Sequence, residues 1–219
     1  MKKLEQLYEG KAKKVFKTDD PNLYIVDYKD DATAFNGLKK GTIEGKGIIN
    51  NRVSNHLMKM LEENGIPTHL VEEISDRETV VKKVTIIPLE VIIRNIAAGS
   101  LSKRLGLEEG TKLKHTVLEY CYKDDALGDP LVTCEGLDVL GIMKPEMFCQ
   151  LKEKTQQIAA VVKEMLAEKG MELYDIKFEF GYVGDEVILI DEIASGNMRA
   201  YKDGEVVDPM VLTAAMLDA

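Results

Sequence analysis

Asp175-Ile176-Lys177-Phe178-Glu179-Phe180 alternates charged with apolar residues, and that alternation decides both its conformation and its faces. Side chains of a β-strand point to opposite sides in turn. Asp175, Lys177 and Glu179 therefore share one face, while Ile176, Phe178 and Phe180 turn the other into core. The stretch sits in a hairpin: Leu173 to Gly181 goes out, Gly184-Asp185 marks the turn, and Glu186 to Ile193 returns. In the return, Asp191 shares a face with Val187 and Leu189, and Glu192 takes the other. A loop of three or five residues would put Glu179 directly opposite Asp191, whereas a one-residue shift would separate them. Two facing carboxylates repel unless a proton or a cation lies between them. Oxygen donors of this kind suit Mg²⁺, which takes one or two carboxylates and completes its shell with phosphates and water. The same face also reads as a solvated surface on which Lys177 pairs with either acid across the strands.

Upstream, Ile86-Ile87-Pro88-Leu89-Glu90-Val91-Ile92-Ile93-Arg94-Asn95-Ile96-Ala97-Ala98-Gly99-Ser100 is an apolar strand with Glu90 and Arg94 on one face. It runs into small residues, with Ser100 as the expected N-cap of a helix from Leu101. Small residues let an anion approach the backbone, and a helix N-terminus attracts it. A tight turn with a cap, and Arg94 as partner of Glu90, is the structural alternative. Near the start, Glu9-Gly10-Lys11-Ala12-Lys13-Lys14 places a glycine and basic residues between two short strands. Such a turn folds over phosphates with lysines as point charges, or is simply a solvated turn. It is neither a Walker A motif nor a GxGxxG. His56, His69 and His115 show no metal-ligand spacing, and no serine occupies a GxSxG elbow.

The rest of the chain frames these segments. Short strands are expected at Gln6 to Glu9, Lys14 to Lys17, Leu23 to Tyr28, His69 to Glu72, Val80 to Ile87 and Leu89 to Ile96. Ile49, Val53, Leu57, Met60 and Leu61 predict an amphipathic helix over Lys46 to Asn64, ended by Gly65. Pro145 opens a second helix that runs to Lys169 before Gly170, and Pro209 to Leu217 reads as a short third. Runs of strands with helices beside them indicate an α+β fold of mainly antiparallel sheet. The expected division is two lobes, 1–85 and 86–219, with a cleft between them. The 219 residues carry a net charge of −9, which disfavours nucleic acid but not small anions held by a few local cations. No apolar run approaches the roughly 18 residues of a membrane span. The N-terminus lacks the apolar stretch of a signal peptide. Three scattered cysteines, Cys121, Cys134 and Cys149, argue for a reducing compartment and against a disulfide framework or zinc. A cytoplasmic protein is expected.

Several of these stretches together resemble the phosphoribosylaminoimidazole-succinocarboxamide synthase (SAICAR synthetase) family. The resemblance is carried by Leu7 to Phe16, Ala32 to Gly37, Lys46 to Asn51, Ile86 to Ser100 with Lys103-Arg104-Leu105-Gly106, Lys123 to Pro130, and Leu173 to Gly181. It spans about residues 5 to 193 in order, with Tyr174 where a smaller aliphatic residue is usual. It implies a ligase that joins L-aspartate to the carboxylate of the imidazole nucleotide CAIR, giving SAICAR, ADP and phosphate. An unactivated carboxylate resists amines, so ATP would first convert it to an acyl phosphate. Positioning and charge neutralisation are then the protein's main work.

Carried over by residue, the resemblance implies that Gly10, Lys11, Ala12 and Lys13 of the 1–85 lobe, which binds ATP, cover the ATP phosphates, with Lys82 and the backbone near Ile86 lining the nucleotide site. Glu179 and Asp191 would hold Mg²⁺. Arg94, Ser100, Asp129 and Arg199 would bind substrate, and Lys177 with Asp175 would face the reacting carboxylate. A homodimer is implied as well. The pattern breaks after Asp191-Glu192-Ile193, where the family's Ser-Pro-Asp is replaced around Ser195 and Gly196, although Arg199 remains. A later basic segment and terminal helix do not follow Val206-Val207-Asp208-Pro209. These departures bear on the substrate-phosphate contacts and the oligomer interface. They motivate two alternatives: a catalytically weak nucleotide-binding homologue, and an ATP-dependent ligase or kinase acting on another phosphorylated substrate.

Overall fold

The computed structural model describes residues 1–34 and 39–218. The Phe35-Asn36-Gly37 part of the Ala32 to Gly37 match lies outside the described residues. The first sheet has five strands in the order β1-β2-β3-β7-β6. They are β1 (Lys3–Glu9), β2 (Lys13–Thr18), β3 (Leu23–Tyr28), β6 (Leu70–Glu73) and β7 (Glu78–Lys82). A small ribbon, β4 (Asp31–Ala34) with β5 (Lys39–Thr42), leads into helix α1 (Lys46–Glu63). The second sheet has seven strands, with β10-β9-β11-β13-β14 side by side and β8 and β12 paired to β11 beyond. Its strands are β8 (Thr85–Ile86), β9 (Leu89–Ile96), β10 (Lys112–Tyr122), β11 (Glu172–Val183), β12 (Glu186–Ile190), β13 (Met198–Lys202) and β14 (Glu205–Val206). Helices α2 (Gly99–Leu105), α3 (Cys134–Val139), α4 (Pro145–Glu168) and α5 (Pro209–Leu217) complete the chain. All strand pairs in the sheets are antiparallel, as expected of this α+β fold.

The main core lies between one face of the second sheet and α4. Leu151, Ile158, Val162, Met165 and Leu166 of α4 recur at helical spacing and are buried. They belong to one cluster with Val91 and Ile93 of β9 and Ile176, Phe178 and Phe180 of β11. Burying each such side chain contributes about 1.5–3 kcal/mol before conformational entropy is subtracted. Val53, Leu57 and Leu61 of α1 join the same cluster. Helix α1 also approaches β3 closely: a Cβ on Gly47 would lie 2.6 Å from the Tyr28 carbonyl oxygen, so only glycine fits. Asp30 accepts the Gly47 N–H at 2.9 Å and the Arg77 guanidinium at 2.6 Å, which satisfies an otherwise orphaned donor of the helix start. The first sheet meets the second where the His69 N–H donates to the Leu189 carbonyl at 3.0 Å.

Three expectations need correction, and one strand is additional to those expected. The stretch Val80 to Ile87 is not one strand: pairing with β3 stops at Lys82, the Lys83 N–H turns to the Asn22 carbonyl, and β8 pairs with β11 instead. Strand β10 carries no clear apolar alternation, because its first half is a polar, largely exposed edge strand. Ser100 is not an N-cap; α2 begins at Gly99 after Ala98, and the Ser100 hydroxyl is taken by Arg94. The hairpin closes through Gly184-Asp185 alone, with Val183 opposite Glu186, so Glu179 faces Ile190 and not Asp191. Two-residue connections are the favoured hairpin turns, and here one sets the register a step away from carboxylate pairing.

Candidate active site

Opposite its apolar face, the second sheet presents a face rich in charged residues. Residues directly opposite each other in an antiparallel pair share a face. Asp175 of β11 lies opposite Arg94 of β9 and opposite Arg199 of β13. Lys177 lies opposite Ile92, which in turn faces Glu119 of β10. Register alone thus gathers Arg94, Glu119, Asp175, Lys177 and Arg199.

Direct contacts join four of them, Arg94, Glu119, Asp175 and Arg199. Arg94 is 1% exposed, yet it donates from Nε to Glu119 at 2.8 Å, from Nη1 to Asp175 at 2.7 Å and from Nη2 to Ser100 Oγ at 2.8 Å. The other Asp175 oxygen accepts from Arg199 Nε at 3.0 Å, so this buried carboxylate lies between two guanidinium groups. Ser100 Oγ is an acceptor toward Arg94, which leaves its own O–H to donate elsewhere. Lys177 Nζ donates to Glu90 at 2.7 Å. The Glu90–Arg94 pairing considered from sequence does not form. Beside this set lies a cavity of about 230 Å³, lined by Arg94, Ser100, Asp175, Lys177, Arg199 and the turn Gly196 to Met198. Its cations outnumber its lone carboxylate, and it suits an anion.

Two local features hold Arg199 against this cavity. Between Leu173 and Asp175 the register with β13 slips, leaving Tyr174 as the extra residue of a bulge. Tyr174 stacks on Tyr201 of β13 with ring centroids 3.6 Å apart. The unusual residue at this position therefore clamps the strand that carries Arg199. Gly99 has φ +55, and a Cβ there would sit inside the Arg199 guanidinium. The altered segment after Asp191 is held too: Asn197 Oδ1 accepts the Ala194 N–H at 3.1 Å, and Thr213 of α5 bonds Ser195 at 3.2 Å.

A second cluster sits where the two sheets meet. Gly10 to Lys13 forms the turn of β1 and β2, with the Gly10 N–H on the Lys13 carbonyl at 2.8 Å. Lys11 is exposed, whereas Lys13 reaches across and pairs with Asp191. Asp191 directly follows β12 in a left-handed backbone conformation, φ 66. Glu179 is paired with Lys123 at 2.7 Å. Burial pushes the Lys13 ammonium below its ordinary value, against the opposing pull of Glu192 and Glu179. Lys82 Nζ donates to the Thr68 carbonyl at 2.9 Å. Next to Thr68, burial together with Lys13 and Lys82 drives His69 down to about 3. Ile86 is exposed. Asp129 lies apart, in a turn where its carboxylate accepts the Asp124 N–H at 2.9 Å.

Glu179 and Asp191 fit the chemistry of a magnesium site. Both are hard oxygen donors, and each is matched by a lysine ammonium where a divalent cation would balance it. Among the described residues no three His, Cys, Asp or Glu side chains converge to hold a metal alone, so phosphate and water would complete the shell. Sequence reasoning left out Glu119, Arg104 and Lys123 as site residues. The alternation Leu118-Glu119-Tyr120-Cys121-Tyr122-Lys123 carried the signal for two of them. Arg104 carried no such signal.

A model of the SAICAR synthetase family matches residues 6–210. The phosphoribosylaminoimidazole-succinocarboxamide synthase of Lachnoclostridium phytofermentans is 56% identical over 201 residues, covering 92% of this chain and 86% of the relative. Among solved structures, the enzyme of that name from Ehrlichia chaffeensis superposes with a TM-score of 0.88 at 38% identity, covering 93% of this chain and 89% of its own. A type-2 SAICAR synthetase in complex with ADP gives a TM-score of 0.88 at 39% identity, covering 97% and 94%.

Proposed function

This chain belongs to the SAICAR synthetase family, and we propose that it joins L-aspartate to CAIR at the expense of ATP, with the parts of the reaction divided between the two charged clusters. The observation that carries the division is the anion-suited cavity on the second sheet, next to the carboxylate-and-lysine cluster at the junction of the sheets. CAIR brings a phosphate and a carboxylate, and Arg199, Ser100 and Lys177 offer cationic or O–H donors to both. Lys177, with Asp175 behind it, faces the carboxylate that reacts. That carboxylate attacks the γ-phosphorus of ATP, ADP leaves, and an acyl phosphate forms. The aspartate amine then attacks the acyl carbon, phosphate departs, and the amide remains.

Gly10, Lys11, Ala12 and Lys13 of the 1–85 lobe lie over the nucleotide phosphates, while Lys82 and, at the edge of the other lobe, Ile86 line the nucleotide site. Residues 86–219 hold the substrate. Glu179 and Asp191 would hold Mg²⁺, which neutralises phosphate charge when bound; Asp129 assists from its turn. To take that ion, Asp191 and Glu179 must let go of Lys13 and Lys123, and both lysines then become donors for phosphate oxygens. Charge neutralisation of this kind is the main contribution a protein makes to phosphoryl transfer. The reading includes a cytoplasmic homodimer acting on small molecules, not on nucleic acid or membrane. The net charge of −9 and the free cysteines support the first exclusion and the reducing compartment, and no described helix is long and apolar enough to cross a membrane. The dimer rests on the resemblance alone.

The test is incubation with ATP, Mg²⁺, CAIR and L-aspartate, following ADP and SAICAR with each component omitted in turn. Both products only in the complete mixture is the expected result. ADP without SAICAR would point to another acceptor, and neither product despite nucleotide binding would point to a non-catalytic homologue.

A further inference from the structure

Glu119 is a buried carboxylate that does not line the cavity, yet both its oxygens are committed to arginines. Oε2 accepts from Arg94 at 2.8 Å, and Oε1 pairs with Arg104 of α2. With the bonds already described, this makes an alternating chain of charges, Arg104–Glu119–Arg94–Asp175–Arg199, running from a half-exposed arginine on α2 to the cavity wall. We infer that Glu119 is a positioning residue for the CAIR site, with Arg104 as its outer anchor. The inference rests on the proposed function, whose substrate it takes as given.

The physical argument is one of donor accounting. A guanidinium has five N–H donors in a fixed plane. Arg94 directs Nε and Nη2 toward Glu119, Nη2 also to Ser100, and Nη1 to Asp175. Little of it is left for a ligand, so Arg94 acts chiefly by holding Ser100 and Asp175 in place. Its own plane is set by Glu119, the partner on the side away from the cavity. Without that carboxylate, a buried guanidinium would turn to Asp175 and compete with Arg199 for it. Arg104 restrains Glu119 in the same way from outside. Its side chain is 37% exposed, so its removal disturbs the core little.

Dissociation constants for CAIR and for ADP with Mg²⁺, measured by titration calorimetry, separate positioning from general damage. Glu119→Gln should weaken CAIR binding roughly tenfold or more, the scale of a lost charged hydrogen bond, with ADP binding within about twofold of wild type. Arg104→Ala should weaken CAIR binding by about threefold, again without moving ADP. The double variant should resemble Glu119→Gln alone, because Arg104 acts only through Glu119. Unchanged CAIR affinity in Glu119→Gln, equal losses for both ligands, or additive effects in the double variant would overturn the inference. Should Glu119→Gln fail to fold, Arg104→Ala decides: a selective loss of CAIR affinity supports the chain, and none overturns it. Wild-type protein that binds CAIR without making SAICAR would sink the proposed reaction while leaving this comparison valid; wild type that does not bind CAIR sinks both.

Discussion

The two charged clusters differ in how their charges are satisfied. At the centre of the first cluster three buried groups each have more than one partner: Arg94 has three, and Asp175 and Glu119 have two each. Around Asp191 and Glu179 the pairs are partly exposed, and each carboxylate has a single lysine. The first cluster is set in advance, with its reorganisation cost met during folding. The second is built from contacts that can be exchanged, since an ammonium on a carboxylate is readily displaced by a divalent ion that leaves the lysine for phosphate. On the proposed division, substrate recognition and nucleotide chemistry call on opposite kinds of electrostatics side by side in one molecule.

Breaking the exchangeable cluster should give the largest effect. Asp191→Asn should reduce magnesium-dependent turnover by roughly a hundredfold or more, the scale of losing one charged group aimed at the reacting centre. Its melting temperature should stay near that of the wild type, because the pair it loses is partly exposed. Near-normal activity across a Mg²⁺ titration would remove Asp191 from the metal role. In the preset cluster, Arg94→Ala should cost about 3–5 kcal/mol in denaturant unfolding, since it removes the shared partner of two buried carboxylates and leaves each with one arginine. It should also raise KM for CAIR far more than KM for ATP, and equal rises would erase the distinction between the clusters.

Gly99→Ala sharpens the comparison. The added methyl displaces the Arg199 guanidinium, the ligand-side partner of Asp175, without meeting Arg94 itself. CAIR affinity should fall by roughly tenfold with ATP affinity unchanged. A left-handed alanine should cost about 1–2 kcal/mol of stability. Normal CAIR binding would show that Arg199 is dispensable.

The smallest expected effect concerns His69, buried beside Lys13 and Lys82. Its folded value of about 3 lies below its ordinary 6.5, so between these limits the unfolded chain binds the extra proton. Its contribution is therefore fully present above about pH 6.5 and is lost as pH falls toward 3, by up to about 1.4 kcal/mol per pH unit. Urea unfolding at pH 7, 6 and 5 should show a flatter dependence in His69→Gln than in wild type; identical slopes would mean that His69 is not held neutral.

Much of this was legible in the strands themselves. Alternation assigned Asp175, Lys177 and Glu179 to one face and Ile176, Phe178 and Phe180 to the core, because the period of a strand is a local property. The same reasoning placed Glu90 with Arg94. It could not say that Lys177 takes Glu90 while Arg94 takes Glu119 and Asp175, because those partners come from strands 25 and 81 residues away from Arg94. The Glu179–Asp191 register failed on a turn of two residues, where a single step exchanges faces. The bulge at Tyr174 was likewise invisible, since a bulge exists only relative to the neighbouring strand.

By itself, then, the amino-acid sequence determined which residues are apolar on one side and charged on the other, where the long helices begin and stop, and, through its resemblance, the family. Tertiary structure alone decided which charge meets which: Lys13 with Asp191 across the two sheets, and Arg199 with Asp175 over Gly99. The reason is physical. Periodicity is written into every few residues of chain, whereas an ion pair depends on register and packing between segments far apart in sequence, and one step of register is enough to change it.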